Sequence, residues 1–232
     1  TTLSPSDHCR NFSADAIVSF ADQDLAEVVN DALGLDSQAP LTCGQAAELE
    51  QLIVGTTIER VVYGGTLRPS PEKPFESLEG IQNLTGLTRL NLINRLITDI
   101  SPIRTLSNLV NLSLHTNWFS DLSPVSELTN LEQLVVSENP IFDISPLAGL
   151  TKLRRLHVHG LYPRQLQHYL DMDDGRDPNV VFNGITDISP LAGLTEMRLL
   201  RIHLNAISDI GPLAHLTKLT HLRIYNSEIK DI

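Results

Sequence analysis

Five of the eight histidines, His115, His157, His159, His203 and His221, keep step with one another in a 22-residue period. Written out in that period, three columns emerge. The first holds Arg89, Asn111, Gln133, Arg155, Leu199 and His221; the second holds Asn91, Ser113, Val135, His157, Arg201 and Arg223. The third holds Ile93, His115, Ser137, His159, His203 and Tyr225. None of these positions is an acid, although the chain carries a net charge of −11. Guanidinium groups fork onto carboxylates and imidazoles gain charge in mild acid, so the columns read as a surface for an acidic partner. Imidazole is also a common zinc or copper ligand. Equivalent positions on adjacent strands lie ~4.8 Å apart, but His115 and His159 are two periods apart and so at roughly twice that distance. No metal site is assigned and no cofactor is expected.

Trp118, the single tryptophan, follows Asn117 in a turn where Leu96 and Pro140 hold the equivalent place. It reads either as an exposed anchor for a partner or as an edge of the core beside Phe119. The run from Asp171 to Asp177 resembles a calcium loop, but Gly175 falls one residue short of the EF-hand spacing and a solvated turn is the better reading. No phosphate loop, nucleophile elbow or zinc-protease motif occurs. The chain is not read as an enzyme.

The elements that must position these columns follow from the same period. Asp-aliphatic-Ser-Pro-aliphatic occurs at Asp99–Ile103, Asp121–Val125, Asp143–Leu147 and Asp187–Leu191, and Asp209–Leu213 repeats it with Gly211 for serine. Self-similarity at such a period marks a solenoid, here an α/β solenoid. In each coil Leu-x-Leu is a short strand whose leucines point inward and whose neighbours point out. Asn117, Asn139, Asn183 and Asn205 share one coil position, where a buried amide can bond backbone groups of neighbouring turns. Ser-Pro starts a short helical back, with serine as cap and proline at the first helical position. The aspartates read as turn residues bonding nearby backbone donors. Between Leu153 and Met197 the separation is 44 residues, two periods in register. With Leu166, Tyr169 and Met172 at inward positions, a degenerate extra coil around 161–182 is favoured over an excursion from one coil.

Residues 1–76 read as a helical cap with a proline-rich loop, and 77–232 as about seven coils. The acids are concentrated early: residues 1–60 hold ten against only Arg10 and Arg60. Such a balance argues against nucleic-acid binding. A helix is expected from Ala21 to Leu33 with Gly34 at its C-terminal cap. A second should start at the capping box Thr42-Cys43-Gly44-Gln45 and run to about Leu52. Ile58 to Tyr63 looks like a strand, and Gly64 to Pro74 like a loop. Cys9 and Cys43 fit one disulfide stapling the cap of an exported protein, or two buried thiols. No apolar run is long enough for a membrane helix, so no membrane insertion is expected. Thr1 reads as a mature start, and Ile232 falls halfway round a coil without a polar cap. Continuation of the native chain, or end-to-end contact there by an otherwise monomeric protein, is expected.

The stretch LTNLEQLVVSENPIFDISPLAGLTKL, from Leu128, resembles the coil consensus of bacterial internalin-type leucine-rich repeat proteins. FADQDLAEVVNDALGLDSQAPLT, followed by SLEGIQNLTGLTRL, is similar to their helical N-terminal cap. The resemblance implies a horseshoe with a parallel concave sheet, a short helical (3-10) convex side and a small α-helical cap. It also implies a secreted or surface-anchored bacterial protein whose concave face binds another protein in recognition or adhesion. The residues expected to carry that role are Arg89, Asn91, Ile93, His115, Trp118, Arg155, His157, His159, Arg201, His203, His221, Arg223 and Tyr225. A glycan- or cell-wall-binding adhesin module, and the recognition part of an enzyme continuing past residue 232, are the alternatives.

Overall fold

The computed structural model describes residues 1–55, 74–161, 184–225 and 229. Among them seven parallel strands form one open sheet in chain order: β1 (Gln51–Val54), β2 (Arg89–Leu92), β3 (Asn111–Ser113), β4 (Gln133–Val135), β5 (Arg155–His157), β6 (Leu199–Arg201) and β7 (His221–Arg223). Leu90, Leu112, Leu134, Leu156 and Leu200 pair with one another across the sheet and are buried. Each such side chain contributes roughly 1.5–3 kcal/mol of transfer free energy. The fold is the solenoid expected from the period, in the leucine-rich repeat form that the resemblance implies.

The convex side is made of 3-10 turns at Ser101–Thr105, Ser123–Glu127, Ser145–Leu147, Ser189–Leu191 and Gly211–His215, each with proline in its first two positions. The serines do not cap them. Each serine hydroxyl instead donates to the aspartate two residues earlier, as Ser101 Oγ does to Asp99 Oδ2 at 2.9 Å, and the serine backbone N–H donates to the other carboxylate oxygen. Only that second bond is available to Gly211, and it forms, at 2.7 Å from Asp209 Oδ1. The aspartate is thus the turn-former, as expected.

Asn117 is wholly buried and ties two coils together. Its Oδ1 accepts from the N–H groups of Arg95 and Ile97, and its Nδ2 donates to the carbonyls of Leu92 and Leu114. Asn139 and Asn205 repeat the donor half of this arrangement, and Asn205 Oδ1 also accepts from the Ile185 N–H. Asn183 lies outside the described residues.

The favoured extra coil is overturned. Strands β5 and β6 hydrogen-bond directly, Arg155 opposite Leu199 and His157 opposite Arg201, so no strand intervenes. Asn205 likewise reaches back across the junction to the Val158 carbonyl. Residues 162–183, with Leu166, Tyr169, Met172 and the Asp171–Asp177 run, lie outside the described residues.

In the N-terminal segment, α1 (Gln23–Ala32) starts at an Asp22 cap, and Gly34 sits in the left-handed region (φ 69°) just past its end. The capping box forms: Thr42 and Gln45 satisfy each other's backbone donors at the start of α2 (Cys43–Glu48). That helix is shorter than expected. Gln51–Val54 alternates exposed and buried residues and joins the sheet as β1, pairing with β2. The strand expected at Ile58–Tyr63 and the loop after it fall on 56–73, outside the described residues, apart from Pro74. Cys9 and Cys43 are disulfide-bonded. Residues of this segment (Leu25, Val29, Leu52) and of the coils share one hydrophobic core.

Candidate functional site

In the first two columns the charged side chains stay at least partly open, while Ser113 and Val135 are buried. Arg89, Arg155, His221 and Arg223 are exposed, and Asn91, His157 and Arg201 are half-buried. The direct pairing of β5 with β6 sets His157, Arg201 and Arg223 side by side on three successive strands, with Arg155, Leu199 and His221 in the next row. Burial pushes the His157 imidazole down to about 3, and the positive charges of Arg201, His115, Arg155 and Arg223 push the same way.

The third column behaves differently. Ile93, His115, Ser137, His159 and His203 are buried, and only Tyr225, half exposed, is open to solvent. Ring contacts run along the part of the column from His115 to Tyr225. His203 is sandwiched between His159, at 4.3 Å between ring centroids, and Tyr225, at 4.4 Å, both pairs near-parallel at 21°. His115 meets His159 edge-on at 6.0 Å, across the small side chain of Ser137. Burial, followed by the charges of His203 and His115, pushes His159 down to about 2; burial, followed by Arg223 and Arg201, pushes His203 to about 4. His159 and His203 therefore stay neutral in mild acid, so protonation of those two rings does not strengthen the face.

Burial also removes Ile93, His115, His159 and His203 from the expected contact surface, and Trp118 with them. The indole is only 4% exposed and sits beside fully packed Phe119, so the core reading of Trp118 holds and the exposed-anchor reading does not. One residue of the region escaped the columns altogether. Glu138 is buried, its Oε1 3.6 Å from His115 Nε2 and its Oε2 accepting from Thr116 Oγ1 at 3.2 Å. It holds the turn position after the third column, whose equivalents are Asn94, Thr116 and Leu204. All four have φ between 55° and 61°, so left-handed backbone belongs to the turn and not to Glu138 in particular. Reading that fourth position down the period would have exposed a lone acid beside the histidines.

The whole architecture has solved counterparts. Internalin F of Listeria monocytogenes is 32% identical over 92% of this chain and 72% of its own, with a TM-score of 0.51. The chain belongs to the internalin-type leucine-rich repeat proteins. Internalin C2 of the same organism is 26% identical, covers 95% of this chain and 93% of its own, and superimposes with a TM-score of 0.62. The functional domain of internalin J shares the fold, with 19% identity, 95% of this chain and 45% of its own covered, and a TM-score of 0.59. No protein-family model and no curated protein matches the sequence. The fold and the family support a protein-binding or recognition module in general. Among the described residues no helix is long and apolar enough to cross a membrane.

Proposed function

We propose that this internalin-type chain is an extracellular adhesion module that docks an acidic protein surface on the outward face of β5, β6 and β7. The observation that carries the reading is the side-by-side placement of Arg201 and Arg223 next to His157, in a chain whose overall charge is −11. Arg155 and His221 extend the positive strip, and the exposed ring of Tyr225 supplies an apolar anchor at its margin. Complementary charge steers encounter and fixes register more than it sets raw affinity. The family and the Cys9–Cys43 bond support an extracellular setting. A glycan-binding face would need several exposed aromatic platforms, and among the described residues of this face Tyr225 alone is open.

The test uses immobilised protein to capture partners from extracts of surface proteins, comparing wild type with Arg201→Glu/Arg223→Glu. A partner whose binding falls more than about tenfold in the double variant, and weakens with added salt, supports the face. The thermal transition of the variant should stay close to that of wild type, because exposed substitutions cost little. Equal capture by both proteins removes the proposal.

A further inference from the structure

The stacked histidine column places His115, Glu138 and His159 together, one from each of three consecutive coils. Each is buried, and each offers a ligand atom lying within 4.8 Å of the other two. An ion with metal–ligand bonds of ~2.0–2.2 Å holds tetrahedral neighbours roughly 3.3–3.5 Å apart. His115 Nε2 and Glu138 Oε1, at 3.6 Å, already have almost that separation. His159 has the remaining ångström or so to close, on the order of a small side-chain rotation.

The hydrogen bonds around these groups dispose them as ligands. His115 Nδ1 lies 3.0 Å from the Ser137 carbonyl, and His159 Nδ1 lies 3.2 Å from the Gly160 carbonyl. A carbonyl only accepts, so each Nδ1 carries a proton, and the neutral form of each ring has its lone pair on Nε2. Backbone carbonyls holding the far nitrogen are the usual second layer of a metal-bound histidine. Thr116 does the same for the acid by donating to Glu138 Oε2, which leaves Oε1 turned to His115. His115 Nε2 and Glu138 Oε1 then face each other at 3.6 Å in a buried place.

We propose that His115, Glu138 and His159 bind a divalent transition-metal ion of the zinc class, which clips together the coils of β3, β4 and β5. Two imidazoles and one carboxylate form a zinc-type donor set, whereas calcium and magnesium take oxygen donors throughout. His203, stacked on His159 and making no hydrogen bond through either ring nitrogen among the described residues, forms the dry wall of the site. The site is independent of the docking face, since it uses neither Arg201 nor Arg223.

The experiment takes the whole chain without a histidine tag, strips it with EDTA, dialyses it and titrates zinc alone. Binding is read by metal analysis and by the melting temperature. One zinc retained per chain and a rise of at least ~5 °C are expected. Glu138→Gln and His159→Gln should each weaken zinc binding at least tenfold, while the exposed-site change His221→Gln leaves it alone. Nitrogen NMR of the His115 ring shows whether its Nε2 carries a proton or the metal. An imidazolium paired with Glu138, with no zinc retained by the wild type, overturns the proposal. So does zinc retention that Glu138→Gln and His159→Gln leave unchanged.

Discussion

Asn117 shows how much of this solenoid rests on single polar side chains. Its amide satisfies two N–H groups and two carbonyls belonging to two coils, all out of reach of water. Removing it takes these bonds away, leaving the Leu114 carbonyl only its bond from Asn139 Nδ2, and each group that loses its partner costs ~1–3 kcal/mol of desolvation. Asn117→Ala should therefore lower unfolding free energy by about 3–4 kcal/mol in urea melts. Asn139 offers an internal comparison. Its Nδ2 donates to Leu114 and Val136, but its Oδ1 accepts nothing among the described residues. Asn139→Ala should cost about half as much. Equal losses would mean that packing, not backbone satisfaction, explains the ladder.

Among the elements, the junction between β5 and β6 is where the period misleads. Its 44 residues equal two periods, so spacing alone could not tell a coil from an excursion; only strand pairing decides it. Gly160 marks where the chain leaves the regular path. A Cβ there would lie 1.9 Å from the Leu204 carbonyl oxygen, because Gly160 packs directly on the turn after β6. Gly160→Ala should destabilise the protein by at least ~2 kcal/mol. Gly149→Ala, with nothing within 4 Å of the new carbon, should be close to neutral. Thermal melts of the pair check this, and a neutral Gly160→Ala would show that the junction yields easily. Other parts of the elements were legible because they are local: the Thr42–Gln45 capping box, the Asp-Ser turns and the inward leucines follow from residue chemistry and period. Strand β1 was not, since Gln51–Val54 runs on from α2 without Gly or Pro to mark the change. The columns located the arginine strip correctly. They could not show that His159, His203 and Tyr225 stack and hide one another, because stacking depends on what stands in the adjacent coil.

At the scale of the molecule, a solenoid passes stability from neighbour to neighbour, since each coil touches only those beside it. One end is reinforced: the Cys9–Cys43 bond, closing a separation of 34 residues, staples the segment that supplies β1 to the sheet. The chain-entropy account gives about 3–4 kcal/mol for a loop of that size. A staple at one end predicts a pattern rather than a single number. In Cys9→Ser/Cys43→Ser, amide exchange should accelerate by tenfold or more through α2, β1 and β2, while β4 and β5 keep most of their protection. Exchange that quickens equally from β1 to β6 would mean that the coils unfold as one unit. The shared core would then outweigh the one-dimensional architecture, and the staple would stabilise the arginine strip as much as the cap.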